Sequence, residues 1–416
     1  MKTTNLFIAI IITSLFWACD NSDVPIPQTK PVETEDVDIN DVFEMKWATR
    51  MNFEKEIVGS DQQQVFENNF ICFGDLGDPA TIFGFNINTG SKDWEYIYEG
   101  DDKANINNNY LYENILICVT GKRVFGFDLK SHTLAWELNL RDLNIRPSRG
   151  TIATNNIFYL AADFDFKHDS HTQHLMEFNI FTGDYRIVYS AKAIEYLIGI
   201  SPPVHYNNGK QELLIFNEYP KFSEPPERSS QNMVAIDLHT TEVVWRCENI
   251  SDFFSSNSLH PPIIYKNKVI TGGDWSIYGF NADNGEKLWR YAFDYPWGIW
   301  ATTNHLIHND RLYVNNTIED VTCLNPETGA LIWNNPQGGP NCTDNMLYYE
   351  KEDLLVFTSW GYGSVMVLDA LNGKTLHRER AYEYSQFNND VVYDAESDMF
   401  FTSTYKHAIG FKVNRP

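Results

Sequence analysis

One phrase recurs along this chain and constrains its fold more than any other feature. A central apolar residue is followed by Asn or Asp, then a short turn often ending in Gly, then Trp or a substitute. The copies are Gly84-Phe85-Asn86 leading to Trp94, Gly126-Phe127-Asp128 to Trp136, Glu177-Phe178-Asn179 to Ile187 and Ala235-Ile236-Asp237 to Trp245. They continue as Gly279-Phe280-Asn281 to Trp289, Cys323-Leu324-Asn325 to Trp333 and Val367-Leu368-Asp369 to His377. The central apolar residue and the Trp position lie nine residues apart in every copy, and successive copies are spaced by 42, 51, 58, 44, 44 and 44 residues. Self-similarity on this scale belongs to propellers and solenoids, whose units bury their apolar faces only against neighbours.

A single repeat resolves into strands. Lys268–Thr271 and Ser276–Asn281 are β-rich runs around a Gly272-Gly273-Asp274 turn, which reads as a hairpin. Asn284-Gly285 opens a second tight turn before Glu286–Arg290, and His260–Tyr265 supplies a strand upstream. Four antiparallel strands, A to D, make one propeller blade. The Trp near strand D is a large apolar wedge between blades, contributing about 1.5–3 kcal/mol when buried. An eighth copy, Ala408–Val413, matches strand C but the sequence stops at Pro416 before a strand D. Phe43-Glu44-Met45-Lys46-Trp47-Ala48 carries the missing Trp, so the N-terminal strand is expected to complete the last blade and close the ring. The expected fold is therefore all-β, an eight-bladed β-propeller, with seven blades the alternative if one stretched middle repeat is misassigned.

The apolar residues, Asn/Asp, Thr-Gly turn and Trp resemble the repeat of the pyrroloquinoline-quinone-type (PQQ-like) β-propellers, over nearly everything from Phe43 onward. That repeat serves both quinone enzymes and non-catalytic scaffolds, so the resemblance implies a fold before it implies a function.

The first 41 residues are expected to lie outside the propeller. Lys2 precedes an apolar stretch from Leu6 to Ala18, and Cys19 follows directly. This resembles a bacterial lipoprotein signal: residues 1–18 are the signal peptide and Cys19 the lipidated first residue, the alternative being an ordinary secretory signal. Residues 19–41 read as an acidic, Pro-rich tether, with Asp20, Asp23, Glu33, Glu35, Asp36, Asp38 and Asp41 against a single Lys30. Asp20-Asn21-Ser22-Asp23 also resembles the acidic surface-export signal of some Gram-negative lipoproteins, and the membrane leaflet stays open. Residues 42–416 form the propeller domain. The expected location is the bacterial outer membrane, reached through the lipid anchor alone.

Formal charge is −24, from 56 acidic and 32 basic side chains, which disfavours nucleic acid as a partner. Beyond Cys19 there are Cys72, Cys118, Cys247, Cys323 and Cys342, an irregular odd set that does not suggest a disulfide framework. Whether Cys323 and Cys342 are bridged is left open.

Candidate sites gather on the face of the B–C turns and D–A connections. The spacings of 51 and 58 residues place insertions at Ala162–Gln173 and Asn217–Gln231. The first holds His168, His171 and His174, whose spacing offers imidazoles to a transition metal, a solvated polar loop being the favoured alternative. The second is Pro-rich and reads equally as a docking loop, with Tyr219, Phe222 and Arg228, or as a plain hairpin tip. A third group is aromatic: Trp275, Tyr295, Trp297, Trp300, Trp360 and Tyr362 form a candidate ligand or partner face, or else fill gaps between blades.

Quinone dehydrogenases of this repeat class add an adjacent Cys-Cys pair, calcium ligands and a catalytic Asp, and no Cys-Cys dipeptide occurs here. No Gly-x-Ser-x-Gly elbow or His-Glu-x-x-His motif is present either. No catalytic residue and no cofactor is expected, PQQ with calcium included. By size, anchor and repeat the chain resembles the propeller lipoprotein subunit of the outer-membrane barrel-assembly machine. That resemblance implies a non-catalytic, lipid-anchored protein-interaction scaffold in the Gram-negative envelope, in outer-membrane protein assembly, with an envelope protein as partner. The rivals are a surface glycan-binding lipoprotein that takes an oligosaccharide, and, behind it, a quinone- or metal-dependent enzyme or polysaccharide lyase.

Overall fold

The computed structural model describes residues 42–415 except 52–62, 75–80, 99–105, 144, 155, 165–172, 192–197, 221–230, 252–260, 274–275, 294–303, 316–319, 338–344, 360–362, 381–386 and 388. The strands assemble into eight antiparallel sheets, the blades of a closed propeller. Blade 5 shows the pattern, with strand A at Ile263–Tyr265, B at Lys268–Gly273, C at Ser276–Asn281 and D at Lys287–Ala292. Strands B and C are buried on both faces, so they read as continuous apolar runs rather than alternating ones. Strand D alternates, and its buried residue is Trp289. The core is accordingly a series of layers between blades. Tyr313, Cys323 and Trp333 of blade 6, for example, pack on Leu355, Phe357 and Leu368 of blade 7.

The recurring phrase is a lock divided between two consecutive blades. Its Asn or Asp starts the C–D turn: Oδ1 of Asn86, Asp128, Asn179, Asp237, Asn281, Asn325 and Asp369 each accepts the backbone N–H two residues on, at 2.8–3.0 Å. The fifth residue closes the turn by donating its N–H to the carbonyl of that Asn or Asp, as Gly90 does to Asn86 at 2.8 Å. In several of the junctions the carbonyl next to the Asn or Asp accepts the indole N–H from the preceding blade. Trp136 Nε1 donates to Ile180 O at 2.6 Å, Trp245 to Ala282 O at 3.1 Å and Trp333 to Ala370 O at 3.2 Å. A β-bulge one residue before each of these Trp residues aims the ring into the layer.

Closure repeats the same lock. Phe43–Arg50 is strand D of blade 8 and pairs antiparallel with strand C, His407–Val413. Trp47 lies opposite Gly410 and donates its indole N–H to Ile87 O of blade 1 at 2.8 Å. On the blade 7 side, Phe43 stacks on His377 with ring centroids 5.6 Å apart, and Arg415 is bonded to Asp369. Eight blades and N-terminal closure match the sequence expectation.

The third repeat departs from its expected register. Ile187, nine residues from Phe178, is nearly half exposed, and the buried residue is Val188, which packs toward Leu214 and Ile236 of blade 4. The bulge there lies between Leu175 and Met176, so Met176 faces Ile187 and Glu177 faces Arg186. With no indole at this junction, the turn of blade 4 closes on Thr241 (φ 60°) in place of Gly. The two insertions also begin later than the sequence suggested, because strand B runs to Phe164 in blade 3 and to Pro220 in blade 4.

Candidate partner-docking face

In every blade strands B and D run to one side of the ring, so B–C turns and D–A connections share a loop face, and A–B and C–D turns form the opposite turn face. Blades 3 and 4 differ from the rest at the loop face. Strand B spans Ile157–Phe164 in blade 3 and Glu212–Pro220 in blade 4, against Lys268–Gly273 or Leu354–Ser359 elsewhere. In blade 3, Asp163 and Phe164 pair with Arg146 and Ile145 of strand A, while the pairing with strand C reaches no further than Ala162 with His174. In blade 4, Tyr219 and Pro220 pair with Gly199 and Ile198, while strand C reaches only Glu218, opposite Asn232. Each blade therefore continues as a two-stranded ribbon beyond its own four-stranded sheet. The strand A side of the blade 4 ribbon is set apart by Ser201-Pro202-Pro203, which divides strand A into Ile198–Ile200 and Val204–Asn207.

Polar side chains fasten the base of these ribbons. Ile200 N–H donates to Gln173 Oε1 of blade 3 at 2.5 Å, joining the two ribbon-bearing blades. Glu218 is almost fully buried, receives Arg246, and accepts the hydroxyl of Tyr189 from blade 3. Burial and the neighbouring Glu218 carboxylate push the Tyr189 phenol well above its ordinary value, so it remains a hydrogen-bond donor. Asn217 Nδ2 donates to Thr271 Oγ1 at 2.8 Å, and Gln231 Nε2 to Gly272 O at 3.1 Å, linking blade 4 to blade 5. Removing Arg246 or Tyr189 would leave the buried Glu218 carboxylate short of a partner.

Of the residues singled out from sequence, Tyr219 lies in the blade 4 ribbon and His174 in strand C of blade 3. His174 Nδ1 and Ser190 Oγ are 2.7 Å apart across the C–D pair, and burial lowers the imidazole pKa, favouring the neutral ring. Among the described residues, no group of three or more His, Cys, Asp or Glu side chains is arranged to hold a metal ion. Cys19, His168, His171, Phe222, Arg228, Trp275, Tyr295, Trp297, Trp300, Trp360, Tyr362 and Cys342 lie outside the described residues. Cys72, Cys118, Cys247 and Cys323 are free thiols, and burial pushes that of Cys323 up to about 12. Glu218, Tyr189 and Arg246 escaped the sequence reading because they come from three different strands, with no spacing to betray them.

A family profile described as outer membrane protein assembly factor BamB matches residues 228–404. An uncharacterized protein of Rickettsia conorii is 27% identical over 114 residues, which are 25% of this chain and 28% of that protein's length. Among solved structures, BamB from Moraxella catarrhalis superposes with a TM-score of 0.56 at 13% identity, covering 90% of this chain and 99% of that one. A europium-containing methanol dehydrogenase gives 0.63 at 8% identity, with 89% and 93% covered, and the computationally designed protein Ika8 gives 0.60 at 12%, with 86% and 98%. An assembly factor, an enzyme and a designed ring all share this architecture, so the structural likeness speaks for fold alone. The chain is an eight-bladed β-propeller that resembles the outer membrane protein assembly factor BamB.

Proposed function

We propose that this protein is a non-catalytic, lipid-anchored interaction scaffold of the outer envelope, acting in the assembly of outer-membrane proteins. The observation that carries the reading is the pair of ribbons on blades 3 and 4, Ile145–Arg146 with Asp163–Phe164 and Ile198–Ile200 with Glu218–Pro220. A ring whose other blades end in shorter B strands spends extra ordered backbone at two adjacent blades, and ordering backbone costs about 1–2 kcal/mol per residue. The β-paired stems are already ordered, so they have less conformational freedom to lose when a partner docks on them. The family profile supplies the assembly context. Tyr219, Phe222 and Arg228 are the side chains assigned to docking, and Cys19 to the anchor.

The test is crosslinking of the tagged full-length protein in intact cells, followed by mass spectrometry of its neighbours. Recovery of the barrel-assembly core by the parent protein, lost when residues 221–230 and 165–172 are replaced by short turns, is the expected result. Unchanged recovery after both replacements would remove the ribbons from the function. Recovery of a nutrient transporter or of glycan-degrading enzymes instead would favour glycan capture by the aromatic group around Trp297 and Trp300.

A further inference from the structure

The strand that closes the ring also decides where the chain enters it. Phe43–Arg50 is strand D of blade 8, and every strand D runs from the turn face to the loop face. Its first residue, Phe43, lies opposite Val413, and Asn414 N–H donates to Val42 O at 2.9 Å, so the entry point is beside the end of strand C, on the turn face. Its other end reaches the loop face, where Arg50 lies opposite His407 and Met51 N–H donates to Lys406 O at 2.8 Å. The entry point is fastened to blade 7, by Phe43 stacked on His377 and, beside it, by Arg415 bonded to Asp369. Residues 1–41 therefore join the ring on the side away from the ribbons of blades 3 and 4.

We propose that anchor and partner address opposite faces of the ring, so that the turn face is the membrane-proximal side and the loop face stays open to a protein partner while the protein is anchored. This rests on the anchor and docking assignments above and adds their relative placement. A segment of this length, Cys19 to Asp41, spans at most roughly 75 Å when fully extended. A blade wall of six-residue strands is about 20 Å tall. Bringing the loop face to the bilayer would draw the tether past the whole wall, taking up roughly a quarter of that greatest reach, whereas the turn face can meet the bilayer with none of it spent in this way. Shortening the tether turns that preference into a constraint.

The experiment uses the full-length lipidated protein in phosphatidylethanolamine–phosphatidylglycerol vesicles carrying an acceptor-labelled lipid. A donor dye is placed at Glu396→Cys in the A–B turn of blade 8, or at Lys406→Cys in its B–C turn, in a Cys247→Ser, Cys342→Ser background. Both positions are exposed and sit at opposite ends of one blade. Energy transfer from position 396 should exceed that from position 406, and deleting residues 22–38 should widen the difference at least twofold. Equal transfer from both positions, or more from 406, in the shortened protein would overturn the placement. Failure of the parent protein to float with vesicles, or absence of lipid on Cys19 by mass spectrometry, would instead overturn the anchor itself.

Discussion

Gly90 of blade 1 lies directly beneath the indole of Trp47, the Trp of the ring-closing strand. A Cβ built on Gly90 would sit 2.6 Å from Cδ2 of Trp47, and the residue holds φ at +71°, a region L side chains rarely adopt. Gly90→Ala therefore has to displace the closing indole or strain its turn. Overpacking of this kind costs about 1–3 kcal/mol. Gly121→Ala is the matched control, because no heavy atom lies within 4 Å of a Cβ built there. Denaturant titration should show the loss for Gly90→Ala and a change within about 0.5 kcal/mol for Gly121→Ala.

Two neighbouring junctions rank their tryptophans. Trp47 is 9% exposed and bonded across the ring closure to Ile87 O at 2.8 Å. Trp94 donates instead to Asn69 Oδ1 within its own blade, and stacks on His132, which stands where most of the turns have Gly, with centroids 4.4 Å apart. Truncating a buried Trp costs about 3–5 kcal/mol. Trp47→Ala should approach that range and Trp94→Ala should cost visibly less, as read from unfolding midpoints. Equal losses would mean that closure carries no special weight.

Most of the fold was legible because the inter-blade lock is written in one phrase: Asn or Asp for the turn, Gly for clearance, Trp for the wedge. Trp47 is the sharpest case, an isolated Trp at the wrong end of the chain whose only vacant position was blade 8. What was not legible depends on more than one repeat at once. Ile187 matches the phrase by spacing, yet a bulge moved by two residues buries Val188 instead. Pro326 follows Asn325 in the turn of blade 6 and has no N–H to return to the A–B turn, unlike Ile87 N, which donates to Asn68 O at 3.0 Å. At that same junction Trp289 Nε1 is buried without a hydrogen-bond partner. The ribbons were glimpsed as long repeat spacings, but their β-paired stems follow from strand register, which spacing does not encode.

Acid should loosen the junction of blades 7 and 8 first. Asp398 accepts from Lys351 Nζ at 2.5 Å, Tyr393 OH at 2.7 Å and Tyr349 OH at 3.1 Å. Lys351 foremost, then Tyr393, lowers its carboxyl pKa to about 2. The folded value lies below the unfolded value of about 3.9, so the contribution is present above pH 4 and is lost as pH falls from there toward 2. Asp398→Asn should lower the thermal midpoint slightly at pH 7, since the group is exposed enough to be screened. It should also flatten the decline between about pH 4 and 2, and thermal melts across that range check the sign. A parallel decline in both proteins would remove Asp398 from the acid response.

One buried side chain should be better replaced than kept. Asn315, at the loop-face end of strand B in blade 6, is fully buried, and neither its Oδ1 nor its Nδ2 has a hydrogen-bond partner. Asn217 occupies the equivalent position in blade 4 and donates to Thr271 of blade 5, but the residue matching Thr271 in blade 7 is Phe357. The repeat thus keeps the amide after its acceptor has gone. An unpaired buried amide costs about 1–3 kcal/mol, so Asn315→Val should raise the unfolding free energy by part of that, while Asn217→Val should lower it by leaving Thr271 without its donor. Denaturant titration of the two variants reads the opposite signs directly. Destabilisation by Asn315→Val would show that the amide holds an ordered water or a small polar ligand between blades 6 and 7, a role that side-chain packing alone does not give it.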